Sequence, residues 1–286
     1  MAGQSNMQGY MGDASQYPTD NASLDKNILF YYLEPPFKNP PPSALNSINF
    51  QQEHVGSNWL KDLYQWLGAS WRSVKFKIKW PPEPSPSATW TRLGPQWGRF
   101  PSGHFGPEIT FARHLAKAGY NPAIFKYTKE STSLAENWKG PGEGGLYDHL
   151  SLTLNKAIID LKHRGYRVNI KALVWIQGEN DALTDQHADE YSTRLKLIIK
   201  HLNQNTLPTR TPIIFGADEN HPEMLARPQV RKAQENIASN NSCAIRSQMH
   251  NLIKADTTHL TPKSISEHGT RIFVAYLSIL NNCHSI

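Results

Sequence analysis

Two short segments near opposite ends of the chain carry the residue types of a nucleophilic hydrolase. Near the start, Gly3-Gln4-Ser5-Asn6-Met7 sets a serine two residues after a glycine. Near the end, Asp256-Thr257-Thr258-His259 places a carboxylate three residues before an imidazole. A serine becomes a nucleophile when an adjacent base takes its proton. A carboxylate hydrogen-bonded to that base fixes the imidazole tautomer and stabilises the imidazolium. Ser5, Asp256 and His259 supply these parts in the order Ser, Asp, His. Taken alone the pieces are weak: most serines are surface residues, and an Asp–His pair in a loop is more often structural.

Further polar segments hold the remaining candidates. Gly3 permits close backbone approach, and Asn6 and Met7 begin a helix N-terminus whose amides can stabilise an oxyanion. Trp175-Ile176-Gln177-Gly178-Glu179-Asn180-Asp181 turns from apolar to polar, and Gln177 or Asn180 can donate a side-chain N–H to an oxyanion. Glu179 and Asp181 also admit a carboxylate pair or a metal site. Without clustered histidines or further carboxylates, no metal is expected. Lys129 to Trp138 is either an ordinary connection or the source of a backbone donor. His268 reads as a packing or capping residue.

These segments need elements to hold them. Strand candidates run over 123–127, 170–176, 212–216 and, more weakly, 242–247. Helix candidates run over 107–118, 147–164, 188–202, 226–238 and 264–280. The alternation predicts a parallel sheet with helices on both faces. Ligands in such sheets bind at the C-terminal ends of the strands, where the polar segments lie.

Residues 35–100 break the rhythm with Pro35-Pro36, Pro40-Pro41-Pro42 and a proline-rich run over 81–86. They also hold Trp59, Trp66, Trp71, Trp80, Trp90 and Trp97, with a helix expected over 58–71. The stretch reads as an elaborate loop packed by its tryptophans, or as a rim that stacks on sugar rings. The chain has 286 residues, 38% of them hydrophobic, and a net charge of +6. Its basic residues are mostly scattered, so nucleic acid is not an expected partner. No apolar run is long enough to span a membrane. Cys243 and Cys283 are too few for a disulfide framework and either pair or stay free.

Taken together, Gly3-Gln4-Ser5-Asn6-Met7, Gly106-Pro107-Glu108, Thr132-Ser133-Leu134 with Trp138, Trp175-x-Gln177-Gly178-Glu179-x-Asp181 and Asp256-x-x-His259 resemble the SGNH-hydrolase carbohydrate esterases. The resemblance is to the branch of sialate O-acetylesterase-like proteins and family 6 acetylxylan esterases. It covers residues 1–20 and about 104–275. It implies a single flavodoxin-like three-layer α/β/α domain over 1–286, with 35–100 as an insertion. It also implies cofactor-free hydrolysis of O-acetyl esters on carbohydrates. Ser5 is then the nucleophile, His259 the base and Asp256 its orienter. The oxyanion hole would use the N–H groups of Ser5 and Ser131 and the amide of Gln177, with Asn180 as the alternative. Gln4, Asn6, Gly106, Glu108, Thr132, Trp138, Gly178 and Glu179 would line or support the site.

Two features depart from the family pattern. Glu130-Ser131 stands where the family carries Gly-Gly, which matters if that residue needs a positive φ. The apolar strand that normally leads into Gly-Gln-Ser is missing, so the central sheet position is expected to be vacant or truncated. A targeting segment outside this chain would make the protein secreted or periplasmic. The competing readings are a non-catalytic glycan-binding protein on the same fold and an inactive truncated esterase.

Overall fold

The computed structural model describes residues 1–34 and 89–284. The expected helix over 58–71, the proline runs and Trp59, Trp66, Trp71 and Trp80 lie outside the described residues. The strands are β1 (Ala2–Gly3), β2 (Leu29–Leu33), β3 (Thr91–Arg92), β4 (Ala123–Thr128), β5 (Leu173–Ile176), β6 (Ile213–Gly216) and β7 (Ala244–Arg246). The helices are α1 (Ser5–Gln8), α2 (Glu108–Lys117), α3 (Leu146–His163), α4 (Asp185–Asn205), α5 (Pro222–Ala226), α6 (Gln229–Ser239) and α7 (Pro262–His284). The strands form one sheet in the order β3–β2–β4–β1–β5–β6–β7. Every pairing is parallel except β2 with β3.

Alternation along the strands builds the two cores. In β5, Leu173 and Trp175 face one core, with Leu150 of α3, Leu195 of α4 and Val230 of α6. Val174 and Ile176 face the other, with Ile109 of α2 and Ile272 of α7. A strand covered on both faces reads as an unbroken apolar run, which is why 170–176 stood out. The strand itself begins only at Leu173. The result is the expected three-layer α/β/α arrangement.

Three strands were not expected. β2 alternates as the rest do, with Tyr31 and Leu33 in one core and Phe30 in the other. β3 falls inside the stretch expected to be an insertion. Trp90 and Leu93 beside it are buried, so the body of the sheet has resumed by then.

The expected central vacancy is filled where it matters. Ala2 pairs with Tyr127 and Trp175, and Gly3 with Thr128 and Ile176. Two residues thus bridge β4 and β5 at their C-terminal ends. The Met1 α-amino group continues the bridge by donating to Phe125 O at 2.7 Å. Its burial, and secondarily Lys126 nearby, lowers that amine to about 5. Gly3 has φ 153°, and a Cβ there would strike the carbonyl of Ile176. Glycine is therefore required by the close approach of β5 as well as by its dihedral. Cys243 and Cys283 pair as a disulfide that ties the end of α7 to the entry of β7. No described helix is long and apolar enough to cross a membrane.

Candidate active site

The chain leaves β1 at Gln4 and turns at once into α1, a single helical turn. Gln4 donates its N–H to Ile176 O at 3.0 Å and accepts from Met7 and Gln8. Ser5 and Asn6 are the first residues of the turn, where backbone N–H groups have no intrahelical acceptor. Ser5 is buried at the top of the sheet, between β4 and β5. Gly9 ends the turn in a left-handed conformation, φ 87°, and Tyr10 N–H returns to Ser5 O at 3.0 Å.

Asp256 and His259 lie in the loop before α7. His259 Nδ1 is 2.7 Å from Asp256 Oδ2. Asp256 Oδ1 accepts the N–H groups of Thr258 and His259, each at 2.7 Å. Partial burial pushes the Asp256 carboxyl upward. Its hydrogen bonds from the His259 ring and the two backbone N–H groups outweigh this and hold it down to about 2. It is therefore a carboxylate at neutral pH, fit to orient an imidazole.

Asn6 joins the two segments. Its Nδ2 donates to Thr258 O at 3.1 Å, and its Oδ1 accepts from Leu260 N at 3.1 Å. It therefore grips the backbone on both sides of His259. Tyr10 stacks on the His259 ring, with centroids 4.1 Å apart and planes 18° from parallel. Neither contact was visible in the sequence, because each spans nearly the whole chain.

The other expected residues separate into loop and support. Ser131 is exposed and has φ 53°, so this position, glycine in the family pattern, takes a left-handed backbone in this chain. Thr132 Oγ accepts from Trp138 Nε1 at 3.0 Å and donates to Lys129 O at 2.8 Å. Trp138 is fully buried and props the loop from below. Gly178, φ 152°, packs beneath Val230.

Gln177 behaves differently from expectation. Its Nε2 donates to Thr132 O at 3.0 Å and to Asp181 Oδ2. Both amide protons are spent inside the protein, leaving none for an oxyanion. The fully buried Gln177 is a strut between two loops. The side chain of Asn180, half-buried on the same loop, hydrogen-bonds to none of the described residues.

Glu179 is also buried rather than open to a ligand. Its Oε2 accepts from Gln4 Nε2 at 2.6 Å and its Oε1 from Asp218 N at 2.8 Å. Burial raises this carboxyl to about 7, against the pull of its backbone hydrogen bonds. Asp218 in turn pairs with Lys254 at 2.8 Å, and Lys254 donates to Thr257 O. Glu179 thus links the turn at Ser5 to the loop at His259. Glu108 and Gly106 likewise lie beneath the site, not in it. Glu108 is fully buried against Lys126 at 2.7 Å, with Gln96 and the Gly106 N–H completing the cluster. His268 is buried with neither ring nitrogen hydrogen-bonded, and burial lowers it to about 3. Among the described residues, no three His, Cys, Asp or Glu side chains are gathered as a metal site would require.

The carbohydrate esterase family described as sialic acid-specific acetylesterase matches residues 78–278. That span takes in Gln177, Glu179, Asp256 and His259 and begins beyond Ser5. A probable carbohydrate esterase of Arabidopsis thaliana is 31% identical over 109 residues, 38% of this chain. The match spans 41% of that protein's length. A solved Arabidopsis thaliana protein superposes with a TM-score of 0.52 at 24% identity, over 66% of this chain and 77% of that one. A carbohydrate acetylesterase from Xanthomonas citri superposes with a TM-score of 0.53 at 19% identity, over 97% of this chain and 55% of its own. These structural likenesses speak to the fold, and the family match to descent. With the Asp256–His259 pair held against the Ser5 turn, the chain belongs to the carbohydrate esterase, sialic acid-specific acetylesterase family.

Proposed function

We propose that the protein is a serine-dependent O-acetylesterase that removes acetyl groups from acetylated carbohydrates. One observation carries the reading. An imidazole oriented by a low-pKa carboxylate is held against the turn that bears the buried Ser5. His259 takes the Ser5 proton as Oγ attacks the ester carbonyl, and the protonated imidazole then gives that proton to the departing sugar alkoxide. Water, deprotonated by the same imidazole, releases acetate from the acetyl-serine. The negative oxygen formed in each half-reaction needs donors. The Ser5 N–H at the start of α1 and the Ser131 N–H are suited to this, with the Asn180 amide as the remaining third candidate. Family membership supports the carbohydrate as the alcohol.

The test is acetate release from 4-nitrophenyl acetate and from a panel of acetylated glycans. Ser5→Ala and His259→Ala are each expected to lose at least about 1,000-fold in kcat. Full activity in both variants would refute the assignment.

A further inference from the structure

We infer that Tyr10, backed by Arg99, is a positioning residue for the catalytic imidazole. The inference rests on His259 acting as the base. Asp256 fixes the His259 ring at one nitrogen and leaves it free to swing about that bond. The face of the ring must be held by something else, and Tyr10 covers it in a near-parallel stack at 4.1 Å. Near-parallel stacking of this kind has a preferred geometry and so resists tilting of the ring.

Tyr10 is itself tightly registered to the nucleophile. Only the α1 turn and Gly9 separate it from Ser5, and its N–H donates to Ser5 O at 3.0 Å. The same short turn therefore carries both Ser5 and the ring that stacks on His259. Asn6 does for the His259 backbone what Tyr10 does for its ring.

Arg99 closes the outer face. Its guanidinium lies over the Tyr10 ring and its Nε donates to Tyr10 O at 2.6 Å. The loop that carries it is pinned. Gln96 and His104 exchange backbone hydrogen bonds of 2.7 and 2.8 Å across its base. Below, Gln96 joins the buried Lys126–Glu108 pair. At the side, Ala14 N bonds Gly103 O, and Ser102 Oγ bonds Asp13. The guanidinium, tyrosine and imidazole form a three-layer stack whose outer member is exposed. A cation over the outer face of an aromatic ring is attracted to it and holds it in place.

Steady-state kinetics on 4-nitrophenyl acetate, with thermal unfolding of each variant, separates this role from others. Tyr10→Ala is expected to lower kcat by about 10- to 100-fold, with KM within about 2-fold, as for a misplaced catalytic group. Tyr10→Phe, which keeps the stack, is expected to stay within about 2-fold of the parent. Arg99→Gln, an exposed change that does not threaten folding, is expected to lower kcat by about 3-fold. In proton NMR, the upfield ring-current shift of the His259 ring signals is expected to vanish in Tyr10→Ala and persist in Tyr10→Phe. Parent-like kcat in both Tyr10→Ala and Arg99→Gln, while His259→Ala is inactive, would overturn the inference. So would an effect confined to KM, which would make Tyr10 a substrate contact. Activity in His259→Ala would instead remove the reading on which it rests.

Discussion

Ser131 shows how one residue can satisfy a site at some cost. Its backbone occupies the left-handed region at φ 53°, which disfavours any residue with a Cβ. Ser131→Gly is expected to raise stability by about 0.5–1 kcal/mol, since part of the relief is offset by the freedom glycine adds to the unfolded chain. The variant keeps the backbone N–H, so kcat is expected to hold. Chemical denaturation and initial rates check both halves, and a fall above about 10-fold would mean that the hydroxyl itself takes part. At this scale the sequence was readable where partners are close in the chain. Asp256 and His259 are three residues apart and their hydrogen bond could be anticipated. Gln177 could not be placed the same way. Nothing local says that its amide protons go to Thr132 and Asp181.

Loops here are held by buried carboxylates as well as by packing. The single turn at Leu134–Trp138 follows the Ser131 loop. Asp181 accepts its Leu134 N–H at 2.8 and 3.0 Å and its Ala135 N–H at 3.4 Å. Burial raises Asp181 to about 6 in spite of these bonds and the one from Gln177. Asp181→Asn would turn an amide N–H toward donors that need an acceptor. It is expected to cost about 1–3 kcal/mol and to lower kcat by loosening the Ser131 loop. Urea denaturation and rate measurement on the variant test this, and unchanged stability would be the contrary result. The elements were mostly legible, since β4, β6 and β7 and the helices α2, α3, α4 and α7 follow from hydrophobic periodicity. β1 and β3 were not, because two residues carry no periodicity. Their strand character exists only in the neighbours that pair with them.

Over the whole molecule, several buried acids act together on stability. Burial holds Glu179 at about 7 and Asp181 at about 6 in the folded protein. The unfolded chain releases both protons near pH 4. The folded state therefore binds more protons between those limits. The corresponding stability is complete below about pH 4 and lost as pH rises through about 6 to 7. Asp256 acts oppositely: its contribution is present above about pH 4 and lost as pH falls toward 2. Buried His268, held at about 3, acts in the opposite sense up to about pH 6.5, so the test is a difference between proteins. Glu179→Gln, which does not titrate, is expected to make the slope of melting temperature against pH between pH 5 and pH 8 more positive than in the parent. Equal slopes in both proteins would refute the role of Glu179. The sequence by itself determined the candidate residues and the layer order. Ser5, Asp256 and His259 are recognisable from the short motifs around them, and strand–helix alternation leaves few ways to stack a parallel sheet. Only the tertiary structure decided which of the motif residues are tied up in buried hydrogen bonds. Glu108, Gln177 and Glu179 sit in the motifs as plainly as Ser5 does, yet they are buried struts. The direction of a side chain depends on what packs against it from distant parts of the chain, and no local pattern records that.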